Sequence, residues 1–218
     1  MNEAGQVWRT VQRVRHASPL VHNITNYVSM DVAANALLAF GASPAMVHAE
    51  EEVEEFVAIS SALVVNIGTL SPGWVRSMVK AADRAVELGK PWVLDPVGAG
   101  ATAYRTAVAR DLSRRGPAVV RGNASEILAL AGADAAATRG VDSVHASEHA
   151  LDVARTLAGE LGCVVAVTGA VDYVTDGTRV ASVANGHEMM TKVTALGCTA
   201  SAMVAACLAV EADAVVAT

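Results

Sequence analysis

The amino-acid sequence predicts an α/β fold: a mostly parallel central sheet flanked by helices on both faces, with an antiparallel hairpin at one edge. Two observations carry this. Short apolar, β-rich runs alternate with longer Ala-rich amphipathic segments, the pattern of parallel strands joined by crossover helices and buried on both faces. Apolar residues make up 53% of the 218 residues and aromatics only 4%, so the core must be Ala, Val, Leu and Ile packed closely, which suits helices laid on a sheet.

Taken along the chain, the strands fall at residues 19–22, 45–48, 62–67, 92–95, 118–121 and 164–168, each followed by a loop of Gly, Asn, Ser or Pro. Helices fill the intervals. Ser71-Pro72 places a capping hydroxyl before a proline in a first helical turn, and Ser147 precedes a periodic run through Leu161. Gly89 and Gly162 close those two helices. Asp176-Gly177, set between β-formers, predicts a two-residue hairpin turn and hence the antiparallel edge. No internal repeat, low-complexity tract or linker divides the chain, so residues 1–218 are expected to form a single domain.

Bulk charge excludes several functions. The net charge is −6, with no Lys/Arg stripe that could follow a nucleic-acid backbone. The three cysteines Cys163, Cys198 and Cys207 show neither CxxC spacing nor accompanying His ligands, which argues against a disulfide framework or structural zinc and fits a reducing cytoplasm. Residues 1–15 are polar where a secretory signal needs an apolar run. The most apolar stretch, 197–210, is shorter than the roughly 20 residues needed to span a bilayer and reads as a buried helix.

Ligands of open α/β sheets bind beyond the carboxyl ends of the strands, so polar residues just after each strand are the first candidates. Six loops qualify: those beginning at His22, Asn66, Asp95, Arg121, Thr168 and Thr194. The small residues from Thr194 to Cys198 lead straight into the apolar helix, presenting free N–H groups at the positive end of its dipole, where phosphate oxygens are stabilised. The plainer reading is a tight loop feeding a packed helix, with Cys198 a small buried residue. Asp95 and Glu126 follow two central strands and could hold magnesium, mostly through waters, while Arg121 and Thr168 could contact nucleotide phosphates. Equally available readings make Asp95 a turn former before Pro96, Arg121 half of a surface ion pair and Glu126 a helix cap after Asn123. The glycines at 98 and 100 complete no GxGxxG, and neither GxxxxGK[ST], HExxH nor GxSxG occurs.

The segments Pro19-Leu-Val-His-Asn-Ile-Thr-Asn26, Gly41-Ala-Ser-Pro-Ala-Met46, Asn66-Ile-Gly-Thr69, Asp95-Pro-Val-Gly-Ala-Gly-Ala-Thr102, Arg121-Gly-Asn-Ala-Ser-Glu126 and Lys192-Val-Thr-Ala-Leu-Gly-Cys198 resemble hydroxyethylthiazole kinase, in order, from about Ser18 to Val210. That family is ribokinase-like. The resemblance implies ATP- and Mg2+-dependent phosphorylation of a thiazole's primary alcohol for thiamine salvage, by a trimer with its sites at subunit interfaces. It implies that Met46, Asn26, Ala195 and Gly197 bind the substrate, that Arg121, Thr168 and Asn123 bind ATP, that Asp95 and Glu126 bind the metal, and that Cys198 is catalytic. Cys198 stands where sugar kinases of the superfamily carry an aspartate, so it is expected to position substrate, with a role as general base left open.

Two departures accompany the resemblance. Position 195 is Ala where many relatives have Gly, and it should fit only at negative φ. The resemblance also implies further helices beyond Thr218. Two other readings stand beside the leading one: a kinase of the same superfamily acting on hydroxymethylpyrimidine, which Cys198 in place of Asp disfavours, and a module that binds ATP or thiazole without turnover.

Overall fold

The structure, a computed structural model, describes residues 3–133 and 143–218, with side chains for residues 5–133 and 150–218. Eight strands form one sheet in the order β2-β1-β3-β4-β5-β6-β7-β8. They are β1 (Leu20–Ile24), β2 (Ser43–Met46), β3 (Ala62–Asn66), β4 (Trp92–Asp95), β5 (Val119–Asn123), β6 (Val164–Thr168), β7 (Asp172–Thr175) and β8 (Val180–Val183). Strands β1 to β6 pair in parallel, and β6-β7-β8 pair antiparallel, which is the mixed sheet the sequence predicts.

The near-continuous apolar strands are explained by burial on both faces. Along β3, Leu63 and Val65 enter one core while Ala62 and Val64 enter the other, and all four are buried. The first core is closed by α3 (Val53–Ile59), α4 (Pro72–Glu87), α5 (Ala103–Ser113), α6 (Ala124–Ala131) and α7 (Ser143–Leu161). The second is closed by α1 (Glu3–Ala17), α2 (Met30–Phe40), α8 (Leu196–Leu208) and the short α9 (Ala214–Ala217). Among the described residues no helix is long and apolar enough to cross a membrane.

Local signals mostly act as expected. Ser71 Oγ accepts the Trp74 N–H at 3.2 Å at the start of α4, with Pro72 in the first turn. Three expectations are corrected. Helix α7 begins at Ser143, so Ser147 lies within it rather than at its start. Strand β2 lies two residues earlier than expected, because Ser43 to Met46 are the residues in register with Leu20 to Asn23 of β1. The hairpin turn is four residues long, since Thr175 pairs with Val180. There the Asp176 carboxylate accepts the N–H groups of Thr178 and Arg179 at 2.9 and 2.7 Å, a side-chain-built loop that outcompetes the tighter turn.

The strand order fixes where a ligand can sit. The chain runs from β1 outward to β2, then returns to the opposite side of β1 to form β3, after which the strands follow in sequence. The loops after β1 and β3 therefore diverge, opening a crevice at the carboxyl edge of these two strands.

Candidate active site

Asn26 and Asn66 meet at this crevice. Asn26, just after β1, donates from Nδ2 to Asn66 Oδ1 at 2.9 Å and to the Cys198 thiol at 3.2 Å. Asn66 Nδ2 in turn donates to Asp95 Oδ2 at 2.7 Å, and Ser201 Oγ donates to the same oxygen at 2.9 Å. A polar chain thus runs from Cys198 to Asp95 across three strand ends, and the side chains of Asn26, Asn66 and Asp95 are buried. Gly68 is required beside it, because a Cβ there would lie 2.6 Å from the Asn26 Cβ.

The loop carrying Asn26 is held from outside. His48 Nε2 lies 3.1 Å from both the N and the O of Thr25, and the ring stacks on Trp74 with centroids 4.3 Å apart. Tyr27 tilts against the same indole at 4.7 Å. Met46 closes β2, half-buried, two strands from Asn66 and beside Asn23 in register.

On the other side of Cys198 the site opens into a cleft of about 810 Å³ lined by Arg121, Thr168, Gly169, His187, Gly197 and Ala200, among others. Arg121 donates to the Gly197 carbonyl at 2.9 Å and so points into this cleft, rather than into a surface ion pair among the described residues. Thr168 ends β6 on the cleft wall. Asn123 and Glu126 form a capping box at the start of α6: Asn123 Oδ1 accepts the Glu126 N–H at 3.0 Å, and Glu126 Oε2 accepts the Asn123 N–H at 2.8 Å. Glu126 Oε1 also takes the Gly98 N–H at 2.8 Å.

Ala195 does not meet the expectation of negative φ. Its φ is 67° and ψ 0°, left-handed backbone at the entry to α8. That geometry turns the chain so that Leu196, Gly197 and Cys198 open the helix, and the side chain of Ala195 carries the strain a glycine would avoid.

Electrostatics separate the two halves. Burial raises the Asp95 carboxyl to about 6; Arg121 opposes the shift and Glu126 adds to it. Burial also raises the Cys198 thiol, with Asp95 adding to the effect and the hydrogen bonds from Asn26, Asn66 and Ser29 opposing it. The helix terminus therefore does not produce a thiolate here. Among the described residues no group of three or more His, Cys, Asp or Glu converges as a protein cage for a metal. The arrangement instead fits a hard cation that keeps its waters: two neighbouring carboxylates repel each other, and each Glu126 oxygen, engaged by one N–H, retains a free lone pair.

Three contributors carry no role legible in the sequence. Asn66 opens one of the six candidate loops with no role of its own, Ser201 lies inside an apolar helix, and His48 ends the strand expected at 45–48 without any motif. Only the tertiary pairing shows what they hold. A helical position four residues after Gly197 was the available signal for Ser201, whose hydroxyl also contacts the Gly197 carbonyl at 3.2 Å.

Comparison with known proteins gives a consistent result. Residues 11–218 match the hydroxyethylthiazole kinase family. The chain is 57% identical over 211 residues to a hydroxyethylthiazole kinase of Oleidesulfovibrio alaskensis, covering 96% of this chain and 79% of that protein. The structure of the Pyrococcus horikoshii hydroxyethylthiazole kinase superposes with a TM-score of 0.89 at 50% identity, over 97% of this chain and 80% of that one. An ADP complex of Bacillus subtilis pyridoxal kinase shares the fold, with a TM-score of 0.66 at 18% identity over 88% of this chain and 83% of that one.

Proposed function

The chain belongs to the hydroxyethylthiazole kinase family, and from that premise we propose that it transfers the γ-phosphoryl group of ATP to the primary hydroxyl of hydroxyethylthiazole, giving the thiazole phosphate of thiamine synthesis. The observation that carries this reading is the run of hydrogen bonds from Cys198 through Asn26 and Asn66 to Asp95. It joins the uncharged side chains of Asn26 and Cys198, suited to a neutral alcohol, to the Asp95 carboxylate near Arg121.

In this reading Met46 and Asn26 line the thiazole, Met46 offering a polarizable face to the sulfur-containing ring. The backbone from Ala195 to Cys198, at the N-terminus of α8, cradles the phosphoryl group in flight. Arg121, Thr168 and Asn123 bind ATP in the cleft. Asp95 and Glu126 would hold Mg2+, which would supply neutralisation of phosphate charge. Cys198 orients the hydroxyl as a neutral thiol, so the alcohol's proton leaves for a phosphate oxygen. The protein's contribution is alignment and charge neutralisation.

The residues around Asn26 support a shared site. Tyr27, Val28 and Val32 are exposed apolar side chains beside it, and a second subunit covers them in the homotrimer we propose. We place the enzyme in the cytoplasm on its odd cysteine count.

A coupled ADP-release assay with ATP and Mg2+ tests the reaction, offering hydroxyethylthiazole, hydroxymethylpyrimidine and ribose in parallel. Turnover dependent on the thiazole alone is expected. Turnover only with hydroxymethylpyrimidine moves the substrate assignment, and no turnover with any alcohol overturns the proposal.

A further inference from the structure

We propose that Arg105 is a positioning residue that locks together the two loops carrying the acceptor and phosphoryl sides of the site. Arg105 lies in the first turn of α5, following the cap Thr102, whose hydroxyl accepts the Arg105 N–H at 3.2 Å. A cation there opposes the helix dipole, so local helix preference does not explain the residue. Its partners do. The guanidinium donates from Nη1 to the carbonyls of Ile67 and Val97, the latter at 2.9 Å, and from Nη2 to the Gly68 carbonyl at 3.2 Å.

The Ile67 carbonyl and the Gly68 N–H belong to one peptide plane, and that N–H donates to Asn66 Oδ1 at 2.9 Å. The Val97 carbonyl and the Gly98 N–H belong to another, and that N–H donates to Glu126 Oε1 at 2.8 Å. Arg105 Nη1 therefore holds the carbonyl end of two peptide planes whose amide ends hold Asn66 and Glu126. Hydrogen bonds at both ends of a peptide polarise each other, so the charge on Arg105 strengthens both amide donors. A planar fork spanning two loops is something arginine provides and lysine does not. The fit is close on the side-chain stem as well: a Cβ at Gly98, whose φ is +72°, would lie 3.1 Å from Arg105 Cδ.

One nitrogen thus sets the spacing between Asn66, which orients Asn26 and Asp95, and Glu126. The consequence for turnover rests on the kinase reading, whereas the consequence for the two amides does not. Arg105→Ala, Arg105→Gln and Arg105→Lys are compared with the wild type by amide hydrogen exchange without ligand and by steady-state kinetics. Exchange at the Gly68 and Gly98 amides is expected to quicken at least tenfold in the Ala and Gln variants. In the kinetics, kcat should fall at least tenfold, more than either KM rises, with Lys restoring little. Millimolar guanidinium, with urea as the control, should recover part of the Arg105→Ala rate. Unchanged exchange at both amides in a folded variant, or kcat within twofold of wild type, overturns the proposal. If Arg105→Ala does not fold, Arg105→Gln and Arg105→Lys decide by the same criteria. A wild-type chain that turns over no thiazole alcohol overturns the kinase reading instead, and the exchange result still decides the role of Arg105.

Discussion

In the proposed reaction Cys198 is the candidate base for the alcohol's proton, and its surroundings argue against that role. Burial and the nearby Asp95 raise the thiol, so it is protonated at neutral pH. We expect kcat to lack the tenfold rise per pH unit that a thiolate base would impose up to pH 9, and Cys198→Ser to keep the same pH profile at a lower rate. A profile that loses its alkaline limb on that substitution would restore the base. Asp95 makes a second residue-scale prediction. Its carboxyl is raised from 3.8 to about 6, so between those values the folded state binds more protons than the unfolded state, and stability falls as pH rises. Asp95→Asn removes that penalty while keeping an oxygen for Asn66 and Ser201. It should be more stable than wild type at pH 7.5 by on the order of 2 kcal/mol, with the gain vanishing near pH 4, and should lack activity; urea titrations at the two pH values test it. Ala195, at φ 67°, is a third. A left-handed alanine costs about 1–2 kcal/mol, partly offset by the extra backbone entropy of an unfolded glycine, so Ala195→Gly should stabilise by about 0.5–1 kcal/mol. The charged and cysteine residues of this site were legible in the sequence because their chemistry is uncommon in loops. Asn66 was legible only as the start of a candidate loop and Ser201 and Arg105 not at all, because the partners of an amide, a hydroxyl and a guanidinium aimed at backbone are set by the tertiary fold.

Among the elements, α8 carries the densest constraint. It opens with the site residues Leu196 to Cys198 and then lays Ala202, Ala205 and Ala206, all buried, against β3 and β4. Small side chains let the helix approach the sheet closely enough for Ser201 to reach Asp95 at 2.9 Å. Ala205→Leu should therefore cost about 1–3 kcal/mol through overpacking, and should also lower turnover by lifting the N-terminal turn away from Asp95. Denaturation and kinetics measured on the same variant check both effects, and a destabilised enzyme with full turnover would separate the helix's packing from its role in the site. This helix was legible as a buried apolar run, as were β3, β4 and β6, because burial on both faces leaves only apolar residues. The edges were less so. Strand β2 has a single neighbour, so pairing with β1 rather than its own composition sets its limits. The hairpin turn depends on side-chain bonds from Asp176 that the dipeptide signal does not encode.

At the scale of the whole molecule, the switch between β1 and β3 places the proposed acceptor pocket at the side of the sheet where apolar surface is left uncovered. Tyr27 and Val28, in the loop that carries Asn26, are 69% and 59% exposed, and Val32 and Leu38 on α2 are 40% and 60% exposed. Scattered exposed apolar residues are ordinary, but a run along one loop and the helix that follows it is the surface we assign to the interface of the proposed trimer. Sequence periodicity could not reveal this, since a side chain buried by a partner and one buried by its own sheet leave the same pattern. The proposed trimer makes these residues the interface and makes Asn26 dependent on it. Val32→Asp places a charge in that interface while sparing the monomer's core, where the α2 residues Ala33 and Leu37 are buried. The wild type should elute at the mass of three 22.3 kDa chains, and Val32→Asp at the mass of one, by size exclusion with light scattering. If the site is shared, the dissociated variant should keep its fold by circular dichroism and lose at least tenfold in kcat/KM for the thiazole alcohol. The loss should lessen as protein concentration rises, because mass action restores the assembly. A monomeric variant with full turnover would instead assign the whole site to one chain, leaving the exposed surface at Tyr27 and Val28 without a catalytic role.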